Sequence, residues 1–233
     1  RKKDCLDLPE KMYVQRYVDM PEEQRLAYEK LKITAIMIMK DEEVSYNNKL
    51  TELLKLQQVA NGFVKTNDGN IVDFKTNAKL KELMSILEES EDKCIIWANY
   101  VHNIEGIKKK LAETYGVDSV VSIYGKDSVE ARNQAVEKFQ TKDECRFLVG
   151  NPTVGGYGLT LTAAKYVIYF SNSYNLEVRQ QSEDRAHRIG QKSQVTYIDI
   201  ICRDTIDQMV LHNLENKIEL SAKTLGEQVQ KWL

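Results

Sequence analysis

Residues 145–170 read CRFLVGNPTVGGYGLTLTAAKYVIYF, and this stretch decides the fold. It places two short runs rich in β-branched and aromatic residues, 146–150 and 166–170, on either side of a glycine-rich segment. Such runs predict strands, and similar ones recur outward at 94–98, 120–124 and 196–201. Helical patterns separate them at about 101–115, 128–140 and 176–189, and a last one lies near 206–218. The alternation predicts an α/β fold, with a parallel sheet flanked by helices.

The first 92 residues show no such alternation. A long helical pattern begins at Pro21 and continues through Met39, and two more occupy 47–60 and 75–88. The sequence Asn-Asp-Gly-Asn between apolar residues predicts a hairpin at 64–74. We therefore expect an N-terminal helical segment at 1–74, followed by an α/β lobe of five or six strands at 75–233.

Composition limits the class of protein. Of 233 residues, 42% are apolar and 29% charged, which is typical of a soluble globular protein, and no apolar run long enough to span a membrane occurs. With 33 basic and 35 acidic residues the net charge is −2, so nucleic-acid binding requires a local face. The four cysteines are scattered singly, which predicts neither a zinc site nor a disulfide framework.

The chain starts at Arg1, without an initiator Met and without a secretory signal. We therefore expect a chain that begins inside a longer one, in an intracellular protein. If the source is bacterial or a phage, we expect a cytoplasmic, nucleoid-associated location.

Residues 181–191, QSEDRAHRIGQ, carry the strongest candidate for a site. On a helix, Gln181, Arg185 and Arg188 are spaced by four and three residues, so their side chains project from one face. Two guanidinium groups on one face repel each other unless an anion lies between them, and their planar forks match phosphate oxygens. Asp184 and Arg188 are also spaced as an ordinary surface ion pair would be, and spacing alone does not separate the two interpretations.

A second candidate is the glycine-rich segment at 155–164, GGYGLTLTAA. Three glycines in four positions let the backbone approach a ligand closely. A tight turn after a strand explains the same glycines without any ligand, so glycine alone does not decide between the two.

The string at 181–191 closely resembles the sixth helicase motif of the Swi/Snf family, in helicase superfamily two. In that family the two arginines of the motif are fingers that reach the γ-phosphate of a nucleotide across a cleft. The resemblance thus implies catalytic roles for Arg185 and Arg188, and makes Gln181 the leading, nucleotide-binding glutamine of the motif.

The glycine-rich segment resembles the fifth motif of the same family, which couples DNA contact to the nucleotide site. This implies that Gly156 and Gly158 contact the nucleotide, whereas Thr160 stands where the family usually has asparagine. Further resemblances, in the family's order, cover nearly the whole chain: 1–11 and 20–28 resemble the exit from the first lobe, 93–100 the fourth motif, and 123–140 the block after it.

The resemblance implies a RecA-like C-terminal lobe of a P-loop NTPase-type helicase, within a DNA-dependent ATPase that translocates on double-stranded DNA. ATP and Mg²⁺ are then held mainly by the first motor lobe of the same polypeptide, because this chain has neither a G-x-x-x-x-G-K-[ST] loop nor an acidic box for Mg²⁺. We expect no ATP hydrolysis by this chain alone, no metal site in it and no membrane partner.

DNA contact requires basic side chains, hydroxyl groups and backbone amides at loop ends along one edge of the sheet. The candidates are Lys126, Asn151, Thr153 and Thr162. Each has a structural alternative: Lys126 as a solvated turn residue, Asn151 and Thr153 as local capping groups, and Thr162 as a helix cap.

Two other functions fit the same sequence. The first is a superfamily-two helicase lobe that acts on RNA or single strands, although the sixth motif of RNA helicases arranges its glycine and arginines differently. The second is a lobe that has lost its motor and only docks on DNA or protein. Intact motifs argue against that loss, and a phosphate loop upstream of Arg1 would exclude it.

Overall fold

The computed structural model describes residues 8–40, 45–66, 68–154 and 158–216. In chain order, its helices and strands are β1 (Lys11–Val18), α1 (Glu22–Lys40), α2 (Tyr46–Ala60), β2 (Phe63–Lys65), β3 (Ile71–Asp73), α3 (Ala78–Glu88), β4 (Cys94–Trp97), α4 (Val101–Tyr115), β5 (Val120–Ile123), α5 (Val129–Thr141), β6 (Phe147–Gly150), β7 (Tyr166–Tyr169), α6 (Leu176–Ala186), β8 (Val195–Cys202) and α7 (Ile206–Glu215).

The chain packs into two compact units that do not follow a single break in the sequence. Of the described residues, the first unit comprises those within 8–16, 84–173 and 177–200, and the second comprises those within 17–83, 174–176 and 201–216. The predicted division into domains at 1–74 and 75–233 stays a prediction.

A six-stranded sheet with strand order β1-β8-β7-β4-β6-β5 forms the centre of the first unit. The central strand β4 pairs in parallel with β6 on one side and β7 on the other, and the pairs β5–β6 and β7–β8 are also parallel. In this register Ile95 lies opposite both Leu148 and Val167. The predicted α/β fold is confirmed, and all five predicted strands are present.

The apolar runs become strands because both faces of the central strands are covered. Trp97, Leu148, Val167 and Tyr169 belong to one buried cluster, together with Phe139 from α5. Strands buried on both faces are apolar throughout rather than alternating. Because β4 to β7 are parallel, their carboxyl ends meet at one edge of the sheet, and α5 and α6 run back toward the opposite edge.

The second unit is built mainly from helices. In it α1 packs against α2, and α2 packs against α7. The Tyr28 hydroxyl accepts the backbone N–H of Ile206 at 2.8 Å, and the buried Lys79 ammonium donates to the Asn61 side chain at 3.2 Å. The strands β2 and β3 pair antiparallel, which confirms the hairpin predicted at 64–74. Among the described helices, none combines the length and the apolarity that crossing a bilayer requires.

Two features differ from the predictions. The segment predicted to be helical at 1–74 contains, besides the predicted hairpin, the strand β1, which joins the main sheet as an edge strand. An edge strand is half exposed, so β1 lacks the buried apolar run that identified the other strands. The helix predicted at 176–189 ends at Ala186. The last predicted helix is present to Glu215, and its predicted end at 217–218 lies outside the described residues.

Candidate functional site

The end of α6 brings together three of the predicted site residues. Gln181 and Arg185 lie one helical turn apart on α6, and Arg188 lies in the turn that follows it. The prediction that all three occupy one helix is therefore wrong for Arg188. Gly190, at φ 101°, permits the tight turn, because a side chain at this position would be strained.

Although Arg188 is not helical, the three side chains still share one cleft. A cavity of about 310 Å³ is lined by Leu8, Gln181, Asp184, Arg185, His187, Arg188 and Ile189. Gln181 donates to the Glu177 carboxylate at 2.8 Å, within α6. The surface ion pair considered for Asp184 and Arg188 assumed an unbroken helix, and the helix ends between these two residues.

The two arginines repel each other across this cleft. Burial is the largest cause of the lowered pKa of Arg185, and the positive charge of Arg188 lowers this pKa further. The negative charge of Asp184 raises it. A guanidinium whose pKa is lowered by a like charge is stabilised by any anion placed between the two groups. The cleft is therefore suited to a phosphate, whose oxygens match the two planar forks.

Arg188 also contacts the end of the glycine-rich segment. Its guanidinium donates to the carbonyl of Gly158 at 3.2 Å and to the Thr160 hydroxyl at 3.3 Å. Gly158 has φ 74°, a conformation that favours glycine over any other residue. Gly156, the other predicted nucleotide contact, lies outside the described residues. The two candidate segments thus meet at Arg188.

Three of the four predicted DNA contacts lie at the carboxyl edge of the sheet. Lys126 is exposed in the turn after β5, and Asn151 and Thr153 follow β6, the strand beside it. The backbone N–H of Asn151 donates to Ile123 at 3.1 Å, which joins the two loops. The Asn151 side chain donates to the Asn99 carbonyl at 2.9 Å and accepts the N–H of Thr153 at 2.9 Å, so it acts as the local capping group considered above.

Thr162 is not part of this group. It precedes β7, and its hydroxyl accepts a hydrogen bond from the Gln140 side chain at 3.3 Å, near the end of α5. Since α5 starts at the carboxyl edge and runs back, its end lies at the opposite edge of the sheet. The structure therefore separates Thr162 from Lys126, Asn151 and Thr153.

Known proteins are similar to this chain in sequence and in fold. Residues 76–190 match the family model described as the helicase conserved C-terminal domain. An uncharacterised ATP-dependent helicase of Mycoplasma genitalium is 34% identical over 227 residues, which are 96% of this chain and 22% of the relative. The SWI2/SNF2 ATPase core of Sulfolobus solfataricus, solved with double-stranded DNA, superposes with a TM-score of 0.75 at 25% identity, over 97% of this chain and 48% of that one. This chain is a Swi/Snf-type helicase C-terminal lobe.

The Swi/Snf-type lobe shares its fold with the C-terminal part of the Fun30 ATPase domain. The TM-score is 0.76 at 17% identity, and 96% of each chain is covered. The lobe is a RecA-like domain, as predicted. It spans only about a fifth to a quarter of the length of curated relatives such as the Mycoplasma helicases and a Bacillus subtilis helicase/translocase.

The Swi/Snf-type lobe also holds a buried charge cluster that the sequence reasoning missed. Arg179 forms a two-pronged ion pair with Asp199 of β8, at 2.6 and 2.9 Å, and donates to Glu183 at 2.8 Å. Its guanidinium lies 3.5 Å from the ring centre of Tyr169. Burial on its own would lower the pKa of Arg179, but the neighbouring negative charges outweigh burial and raise it.

Strand β1 completes this cluster. Glu183 accepts hydrogen bonds from the Lys11 ammonium and the Tyr13 hydroxyl, each at 2.8 Å. Burial would raise the pKa of Glu183, but Arg179 and Lys11 outweigh it and lower the pKa. The sequence did hold one indication: Asp199 interrupts the apolar run of β8, and a buried carboxylate in a strand requires a basic partner.

Proposed function

We propose that this lobe is the second motor lobe of a DNA-dependent ATPase that translocates on double-stranded DNA. In this proposal ATP and Mg²⁺ are held mainly by the first motor lobe of the same polypeptide. The observation that carries the proposal is the pair of arginines lining one cleft, with the pKa of Arg185 lowered by burial and by Arg188.

Arg185 and Arg188 act as arginine fingers in this proposal. As the γ-phosphoryl group transfers to water, negative charge spreads over its oxygens, and guanidinium groups already in place stabilise that charge. Such a finger can raise the rate by about three to five orders of magnitude. Gln181 lines the same cleft, and Gly158 presents a carbonyl to Arg188, so both lie close enough to order the nucleotide side of the cleft.

DNA contact is proposed for the loops at the carboxyl edge of the sheet. Lys126 is the strongest candidate because it is exposed, and Thr153 is exposed on the neighbouring loop. Asn151 supports the Thr153 loop through its hydrogen bonds, whereas Thr162 would need a separate DNA contact at the other edge. The Sulfolobus ATPase core was solved in complex with double-stranded DNA, which supports a duplex as the partner.

The deciding experiment measures ATP hydrolysis by the full parent polypeptide with and without duplex DNA, beside this 233-residue chain under the same conditions. We expect duplex DNA to stimulate the parent strongly and no turnover by the chain alone. Arg188→Ala in the parent should abolish turnover while ATP binding is retained. Lys109→Ala, which removes an exposed positive charge on α4, is the matched control and should keep the full rate.

Each other outcome points to a different function. Equal stimulation by RNA or single strands would indicate a lobe of an RNA or single-strand helicase. No turnover with any nucleic acid would indicate a docking module without a motor. An undiminished rate in Arg188→Ala would exclude the finger assignment.

Salt dependence tests the DNA contact. If Lys126 binds a phosphate, Lys126→Ala weakens duplex binding for every sequence and reduces the slope of log affinity against log salt by about one. Lys109→Ala should leave the slope unchanged, and an unchanged slope in Lys126→Ala would rule out that contact.

A further inference from the structure

One buried side chain, Gln191, joins the glycine-rich segment to the end of α6. Its Nε2 atom donates to the carbonyl oxygens of Thr162 at 3.0 Å, Ala164 at 3.0 Å and Ala186 at 3.2 Å. Its Oε1 atom accepts the backbone N–H of Ser193 at 2.9 Å. Only 7% of Gln191 is exposed, so water cannot replace these bonds if the amide is removed.

These contacts fix the place where α6 ends. The last carbonyls of a helix have no partner within it, and they need one elsewhere. The carbonyl of Ala186 accepts from Gln191, and the carbonyl of Arg185 accepts the backbone N–H of Leu161 at 3.0 Å. The helix end is thus bonded to the glycine-rich segment directly at Arg185, and through the Gln191 side chain at Ala186.

Arg188 lies between the same two parts of the chain. Its carbonyl accepts the backbone N–H of Gln191 at 2.9 Å, and its guanidinium reaches Gly158 and Thr160. Any shift of the glycine-rich segment against α6 would move both ends of this residue. A displacement of about 1 Å in a catalytic group can cost about a hundredfold in rate.

We infer that Gln191 is a positioning residue for Arg185 and Arg188. Its amide holds the glycine-rich segment and the end of α6 as one unit, and this unit sets the distance between the two guanidinium groups. The inference rests on the proposed function, because it assumes that these arginines meet a phosphoryl group.

A second glutamine provides a matched comparison. Gln140 also holds the glycine-rich segment, but mainly as an acceptor: its Oε1 atom accepts the N–H of Ala163 at 2.9 Å. Its Nε2 atom donates only to the hydroxyl of Thr162, which can itself donate after rotation. Gln140→Glu therefore keeps both hydrogen bonds, whereas Gln191→Glu turns a carboxylate toward three carbonyl oxygens.

The test measures nucleotide binding by the full parent polypeptide. Two dissociation constants are compared on the same preparation: for ADP with Mg²⁺, and for ADP with Mg²⁺ and vanadate, which mimics the transferring phosphoryl group. Gln191→Met removes the donors without burying a charge and should weaken the vanadate complex by about tenfold or more, since only that complex needs the fingers. ADP affinity should stay within about twofold, and Gln140→Glu should leave both constants unchanged.

The ratio of the two constants separates positioning from folding, because both are read from the same folded molecules. Gln191→Asn, whose amide is withdrawn by one methylene, should shift the ratio in the same direction. An unchanged ratio in both variants, while Arg188→Ala loses the vanadate complex, overturns the role of Gln191 alone. If Arg188→Ala also keeps the vanadate complex, the proposed function is overturned and the role of Gln191 with it.

Discussion

Helix α6 presents Arg179 near its beginning to two carboxylates, and near its end presents Arg185 to a second arginine. Arg179 is 7% exposed, is paired with Asp199 and Glu183, and has a raised pKa. Arg185 lines an open cleft, and its pKa is lowered by burial and by the charge of Arg188. On one helix, the positive charge of Arg179 is therefore neutralised by carboxylates, whereas the positive charge of Arg185, less than two turns away, faces the positive charge of Arg188.

We therefore propose different roles for the two arginines, one in stability and one in function. The buried ion pairs hold α6 in place: Arg179 binds Asp199 of β8, and Glu183 binds Lys11 of β1. Moving the helix would leave buried charges without partners, which is costly. A guanidinium held near another is electrostatically costly unless an anion arrives, and such perturbed groups in clefts tend to be functional. We therefore expect mutations at the two ends to affect different measurements.

The largest expected effect is on turnover at the end of α6. Arg185→Ala in the parent polypeptide should reduce the rate of ATP hydrolysis by about a thousandfold or more, because one finger is lost from the transition state. The free energy of unfolding should change less than in Arg179→Ala, because Arg185 is only partly buried and lines an open cleft. Steady-state kinetics and urea unfolding on the same protein measure both. A large loss of stability with normal turnover would reverse the assignment of the two ends.

Arg179→Ala should show the opposite pattern. Removing one partner from a buried charge pair leaves Asp199 and Glu183 without the cation they share, which costs about 3 to 5 kcal/mol of unfolding free energy. Gln180→Ala, at the exposed neighbouring position on α6, is the control and should stay within about 0.5 kcal/mol. If both variants unfold at the same urea concentration, the buried cluster contributes nothing to stability.

The sequence predicted the end of α6 better than its beginning, for physical reasons. Gln181 and Arg185 share a face because local helical geometry places residues four apart on one side. The pairing of Arg179 with Asp199 joins residues on different elements, 20 positions apart, and no local pattern encodes it. Predicting it would have required treating the lone carboxylate in β8 as buried and then seeking its partner.

The predicted end of α6 was wrong for a similar reason, since it depends on a contact with a distant part of the chain. The pattern at 176–189 is compatible with a helix throughout, yet α6 ends at Ala186. The carbonyl of Arg185 is taken by Leu161, from a distant part of the chain, instead of by the next helical turn. The residue pattern did not identify strand β1, because an edge strand with polar exposed positions has little apolar periodicity. Only the family resemblance implied a strand after the dipeptide Leu8-Pro9.

Acid should weaken the buried charge cluster of Arg179, Asp199 and Glu183. The pKa of Glu183 is lower in the folded chain than in the unfolded chain, so its ion pairs stabilise the fold above the unfolded pKa, and this contribution is lost as pH falls through the folded value. Glu183→Gln removes the contribution. The difference in unfolding free energy between the two chains should therefore narrow as pH falls below the ordinary pKa of a glutamate, about 4.3. Urea unfolding of both chains at neutral and at acidic pH measures this difference. A difference that does not change with pH would show that the ion pairs of Glu183 do not stabilise the fold.

The smallest expected effect concerns Thr160, where the family usually has asparagine. Its hydroxyl accepts from Arg188 at 3.3 Å, but Arg188 is exposed and keeps its contact with the Gly158 carbonyl. Thr160→Val, which preserves the shape and removes the acceptor, should change stability by no more than about 0.5 kcal/mol. Because this contact is exposed, water can replace the lost acceptor, so turnover of the parent should fall by less than about fivefold.

Thr160→Asn serves as the matched control, because an asparagine side chain restores an acceptor for the guanidinium. It should keep the turnover of the unchanged parent. If Thr160→Val instead loses as much turnover as Arg185→Ala, then the Thr160 hydroxyl is needed to orient Arg188 for catalysis. In that case the functional site includes the glycine-rich segment as well as the end of α6. The difference between Arg179 and Arg185 then depends on that segment and not only on their positions along the helix.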